Sequence, residues 1–158
     1  MKLLFTNNGL KISTFVLVPL LLICARPAFA DTLTLQKFGD YTVHFSVFNS
    51  TFITPEVASA YQLTRARDLA LVNISVTLDT DGATSLGLPA EVSGTATNLI
   101  QQQRSLNFQT ISEGDATYYI APLRHTNEEI MHFAIQIQPD AASAPFTVKF
   151  SRNLHSHD

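Results

Sequence analysis

In Tyr41-Thr42-Val43-His44-Phe45-Ser46-Val47 every second side chain is apolar, and no other feature constrains the fold of this chain as tightly. A period of two fits a strand with one face on a core and one in water, whereas helical apolar positions recur every 3.6 residues or about so. The same period returns in 67–78, where Ala70, Val72, Ile74, Val76 and Leu78 share a face, and in 129–138, with Met131, Phe133, Ile135 and Ile137 inward. Shorter or weaker runs over 32–38, 90–99, 104–111, 118–121 and 146–150 complete seven or eight predicted strands. Gly39-Asp40, Asp79-Thr80-Asp81-Gly82, Glu113-Gly114-Asp115 and 139–145 supply the turn chemistry between them. Pro122 reads as the stop of 118–121, and 86–89 as a linker.

One segment departs from this pattern. Thr54 suits a helix N-cap, Pro55 the first helical position and Glu56 the first turn, which predicts a short helix near 55–63. The chain therefore reads as all-β, an antiparallel β-sandwich of immunoglobulin-like architecture with one short helix. The Cys…Trp…Cys hallmark of antibody domains is absent.

Residues 1–30 stand outside this fold. Lys2 and Lys11 precede an uncharged, mostly apolar stretch, Ile12 to Ala25, and Ala28-Phe29-Ala30 offers the small-x-small pattern of a cleavage site. This predicts a signal peptide cleaved after Ala30, export of the mature chain and a single domain over 31–152 with a loose tail at 153–158. A spanning helix needs about 20 apolar residues, more than this stretch supplies. Cys24 lies within the leader behind Leu22-Ile23, so acylation there is disfavoured and the mature chain has no cysteine. Disulfides, catalytic thiols and thiolate metal sites are excluded with it. Loss of Lys2, Lys11 and Arg26 leaves seven basic residues against thirteen acidic ones, a formal charge of −6. No basic cluster survives, so neither nucleic acid nor an anionic membrane surface is expected as a partner.

Three short stretches carry a family resemblance: Gly39-Asp40-Tyr41, Phe48-Asn49-Ser50-Thr51 and Ala70-Leu71-Val72-Asn73. Over 38–76, and less distinctively beyond, the chain resembles small exported proteins of Gram-negative bacteria grouped as domain of unknown function 4426. The resemblance implies a periplasmic β-rich domain and brings no activity, so no catalytic residue is carried over.

The polar interruption Asn49-Ser50-Thr51 follows the inward phase of Tyr41, Val43, Phe45 and Val47. It reads as a corner whose side chains satisfy backbone groups, with a polar cleft as the alternative. Arg65 and Arg67 lie on one side of an extended chain, where two guanidinium forks suit a carboxylate or phosphate, or pair internally with Asp68 and Glu56. The candidate ligand- or partner-binding residues are thus Asn49, Ser50, Tyr61, Arg65, Arg67 and Asn73. His155 and His157 are weak metal candidates beside Asp158, with adventitious binding the favoured reading. No cofactor is expected. There is no Gly-x-Ser-x-Gly elbow, no HExxH and no phosphate-cradling glycine loop. Glu128 and Glu129, adjacent on a strand, point to opposite faces. The expected function is a non-catalytic periplasmic binding or adaptor domain whose partner is an envelope protein. A small-ligand or metal-binding protein is the alternative, and a hydrolase without a signature ranks third.

Overall fold

A computed structural model describes residues 34–80, 82–141 and 144–156. Its strands pair antiparallel throughout and form two sheets. The first runs β1 (Leu35–Phe38), β2 (Tyr41–Asn49), β3 (Leu69–Thr80), β8 (Ala116–Arg124), β7 (Gln109–Glu113), with β4 (Ala83–Thr84) folded back on the end of β3. The second runs β10 (Phe146–Leu154), β9 (Glu129–Gln138), β5 (Glu91–Asn98), β6 (Gln103–Leu106). The order β2-β3-β8-β7 against β10-β9-β5 is that of a constant-type immunoglobulin sandwich, with β6 added beside β5.

Alternation along each strand delivers the core. Val43 and Phe45, Val72 and Ile74, Ala121 and Leu123, Phe133 and Ile135, and Val148 and Phe150 all join one buried cluster between the sheets. Burial of each larger side chain contributes about 1.5–3 kcal/mol, against backbone ordering that costs about 1–2 kcal/mol per residue. With no tryptophan in the chain, phenylalanines bridge the layers. Phe45 stacks on Phe150 at 4.5 Å and Phe38 on Phe146 at 4.7 Å across the layers, while Phe150 stacks on its cross-strand partner Phe133 at 4.7 Å within the second sheet.

Several local expectations change. The single strand expected over 104–111 is two strands in different sheets, β6 and β7, with Asn107-Phe108 crossing between them. Together with the two-residue β4, this raises the described strands to ten. Pro122 does not stop β8 but sits within it, paired with Leu71 of β3. The β7–β8 ladder has already ended at Ile120, so the missing N–H faces an open edge and costs no ladder bond. The supposed linker 86–89 is wedged between strands. Leu88 N–H donates to Val76 O at 2.7 Å and Thr117 N–H to Gly87 O at 2.8 Å, just where the β3–β8 ladder ends. Strand β10 runs on through Asn153 and Leu154, so only residues from His155 onward follow the last strand. The predicted leader 1–30, residues 32 and 33 of the first predicted strand, and His157 and Asp158 lie outside the described residues.

The helix α1 (Pro55–Ala60) is shorter than 55–63. Thr54 Oγ1 caps it by accepting Val57 N–H, and Gln62 takes a left-handed φ of 55° that ends it. A short 3-10 turn, Ser50–Phe52, precedes it. This connection leaves the end of β2 and reaches β7, the opposite edge of the sheet. There Gln109 Nε2 donates to Tyr61 O at 2.6 Å, and the Tyr61 hydroxyl donates to Glu113. Segment 50–68 thus crosses the outer face of the first sheet. That explains why Leu69 and Leu71, which alternate away from the core, are buried as well.

Candidate functional site

Asn49 and Ser50 are buried where β2 turns out of the sheet. Asn49 Nδ2 donates to Arg67 O at 2.8 Å, while its Oδ1 accepts Thr51 N–H at 2.9 Å and the Thr51 hydroxyl at 2.7 Å. Ser50 Oγ donates to Ala66 O at 3.0 Å and accepts Ala66 N–H at 2.9 Å. Each bond goes to the protein's own chain, and together they tie both ends of segment 50–68. Arg65 Nη2 donates to Thr51 O at 3.2 Å from an exposed position, and Arg67 is exposed too. Of the two acidic partners expected for the arginines, Glu56 has its pKa lowered by hydrogen bonds to its own backbone and to Thr54, with the charge of Arg65 adding to them. Asp68 is engaged elsewhere. Asp68 pairs with Arg124 at 2.6 Å, whose hydrogen bond outweighs partial desolvation and holds the Asp68 carboxyl below its ordinary value.

The other two candidates stand apart from this corner. Tyr61 lies at the β7 edge, where the bond to Glu113, desolvation and the carboxylate charge all push its hydroxyl pKa up. Asn73 sits midway along β3, between Ser46 and Ile120, and its buried Oδ1 has no hydrogen-bond partner among the described residues. The structure therefore brings Asn49, Ser50, Arg65 and Arg67 to one corner and leaves Tyr61 and Asn73 outside it.

That corner belongs to a whole end of the sandwich, formed by the ends of β2, β5, β8 and β10 and the starts of β3, β6 and β9. Here a pocket of about 160 Å³ opens between Val47, Phe48, Asn49, His125, Leu154 and His155. His125, just past β8, is only 5% exposed; its N–H donates to Asp68 O at 3.0 Å and its Nδ1 lies 2.9 Å from Thr126 O. A carbonyl can only accept, so Nδ1 carries a proton, and in the neutral ring the lone pair then falls on Nε2. His155 follows Leu154 directly, and Ser156 N–H donates to Asn127 Oδ1 at 3.0 Å, which ties the end of the chain to the loop that carries His125.

The β5–β6 turn stands at the same end of the sandwich. Asn98 is buried and organises it: Oδ1 accepts Gln102 N–H at 2.9 Å, and Nδ2 donates to Gln102 Oε1 and Glu129 Oε1, each at 3.1 Å. Gln101 takes a φ of 63° and its N–H donates to Asn98 O. The turn holds out Leu99, 62% exposed, and Ile100, 74% exposed. Phe52, 64% exposed, belongs to the same end. Glu129 anchors the base. Burial raises its pKa, but the Thr126 N–H, Asn98, Arg104 at 3.7 Å and the Thr126 hydroxyl outweigh that and hold it below the ordinary value.

His125, Asn98, Glu129 and the Leu99–Ile100 tip have no motif in the sequence. Their one signal is two aliphatic residues at the end of a strand, followed by Gln101-Gln102-Gln103 where turn formers are expected. On the outer face of the second sheet, His132 Nδ1 meets Ser151 Oγ at 2.7 Å, an exposed pair among threonines and glutamines. No described residue group brings three histidine, cysteine or carboxylate side chains together.

Two antiparallel sheets packed face to face, with loops of one end gathered around a pocket, define a small β-sandwich domain. The chain belongs to the family described as domain of unknown function DUF4426, whose profile matches residues 35–157. No curated protein matches it. Among solved structures it is similar to a DUF4426 family protein of Pseudomonas aeruginosa PAO1, with 30% identity and a TM-score of 0.68 over 78% of this chain and 95% of that one. It also shares its fold with FetP of uropathogenic Escherichia coli strain F11, at 12% identity and a TM-score of 0.56 over 78% and 94% of the two chains. A copper-bound variant of FetP gives 11% identity and a TM-score of 0.53 over 78% and 90%.

Proposed function

We propose that this protein is a non-catalytic domain of the periplasm that binds an envelope protein through the end of the sandwich bearing the β5–β6 turn. One observation carries the reading: Leu99 and Ile100 stand out side by side on a turn that the buried Asn98 holds in one conformation. Turns ordinarily carry polar residues, and two exposed aliphatic side chains on a fixed backbone are pre-organised to enter an apolar recess at little entropic cost. The partner is accordingly a protein with an apolar pocket at its surface. The leader-like residues 1–30 support a periplasmic location, as does the fold shared with FetP, which was produced in the periplasm. Among the described residues no helix is long and apolar enough to cross a membrane. The copper in the FetP variant is that protein's own, because identity of 11% carries the fold alone.

The test is cross-linking in intact envelopes with the exported protein as bait, beside Leu99→Ser/Ile100→Ser and Arg65→Ala/Arg67→Ala variants. The reading expects one identified envelope protein, captured by the parent and by the arginine variant and lost with the turn variant. A partner lost with the arginine variant and kept by the turn variant would move the surface to the Asn49 corner. No partner at all would overturn the reading.

A further inference from the structure

His125 and His155 lie 30 positions apart in the sequence and yet face one pocket of about 160 Å³, roughly the volume of five waters. Their environments differ in a useful way. His125 is almost fully buried, and its Nδ1–H is spent on Thr126 O, which fixes both the ring orientation and the tautomer. The residue lines the pocket, and its Nε2 has no hydrogen-bond partner among the described residues. A histidine that donates one ring nitrogen to a backbone carbonyl and points the other, with its lone pair, into a cavity has the arrangement of a metal-ligating imidazole.

His155 supplies the second ring from the exposed side. Its backbone is held on both flanks: Leu154 pairs with Glu129 in the β9–β10 ladder, and Ser156 is bonded to Asn127. Asn127 lies two residues from His125, so the two histidine-bearing segments are fastened to each other and the distance between the rings is not left to a free tail. The rest of the lining is Val47, Phe48, Phe52, Ala70 and Leu154, all apolar, with Asn153 and with Asn49, whose amide is engaged by Arg67 O and Thr51.

We infer that His125 Nε2 and His155 form a two-imidazole site for a late first-row divalent ion of the Cu²⁺ or Zn²⁺ kind. Imidazole nitrogen favours these ions over the hard Mg²⁺ and Ca²⁺, and Cu²⁺ binds more tightly than Zn²⁺ at a given nitrogen–oxygen site. Water completes the coordination. The site is independent of the Leu99–Ile100 surface, so loss of either leaves the other standing.

The experiment is calorimetric titration of the untagged exported protein with Cu²⁺ and with Zn²⁺, alongside His125→Gln, His155→Ala and His157→Ala. The expected result is one equivalent bound, Cu²⁺ tighter than Zn²⁺, with affinity lowered roughly tenfold or more by either of the first two changes. Because His125 is buried, a second measurement needs no variant. Substoichiometric Cu²⁺ should broaden the ring proton signals of His125 and His155 together while sparing His44 and His132. Wild-type affinity in a folded His125→Gln protein, or broadening confined to His155 and His157, would show adventitious binding by the chain end and overturn the inference. Absence of binding by the parent protein would overturn it as well.

Discussion

Replacement of Asn49 by alanine tests whether the polar corner is held for structure. The change removes the donor to Arg67 O at 2.8 Å and the acceptor for Thr51 N–H at 2.9 Å, and no other described side chain is bonded to either group. Each group left without a partner in a partly buried setting costs about 1–3 kcal/mol, and loss of the cap on the 3-10 turn alone costs about 1 kcal/mol. Water reaches the exposed side of Arg67, which favours the lower figures, and the expected loss is about 2–3 kcal/mol. Asn49→Asp keeps the acceptor for Thr51 and loses only the donor, so its loss should be roughly half as large. The chain has no tryptophan, so urea unfolding is best followed by far-ultraviolet circular dichroism. With a slope of about 1–3 kcal/mol per M, the Asn49→Ala midpoint should fall by roughly 1–2 M at unchanged slope. A fall equivalent to less than about 0.5 kcal/mol, typical of a neutral surface change, would mean that other contacts hold segment 50–68. The corner would then be open again as a binding site.

Two further outcomes follow from the packing. A Cβ at Gly87 would lie 2.4 Å from Thr117 O and 2.8 Å from Ser75 Oγ, so Gly87→Ala must push the wedge out from between β3 and β8. A loss of about 1–3 kcal/mol or more is expected in the same urea assay, and a neutral result would show that the wedge is loosely held. Glu129 has a depressed pKa in the folded state, so the stability it contributes is present above its unfolded value and is lost as the pH falls through the folded one. In acid titrations of unfolding free energy, Glu129→Gln should therefore be less stable than the parent near neutrality and should flatten the decline at acid pH. Parallel curves for the two proteins would refute the role given to that carboxylate.

The sequence by itself determined which residues face the core. Period-two alternation is local information, and it placed Val43 and Phe45, Val72 and Ile74, and Phe133 and Ile135 inward without knowledge of any partner strand. The Thr54 cap with Pro55 was equally local, and the helix begins there. Whatever depended on pairing was decided only by the tertiary structure. The residues between Arg104 and Ile111 look like one strand, because nothing nearby in sequence records that β6 pairs with β5 while β7 pairs with β8. Pro122 seemed a stop because its tolerance depends on where the β7 ladder ends. The candidate site shows the same division. Asn49 and Ser50 were legible as a corner from their own chemistry. The meeting of His125 with His155 was not, since it depends on β8 and β10 finishing at the same end of the sandwich. A local pattern says which way a side chain points; only the closed fold says what it points at.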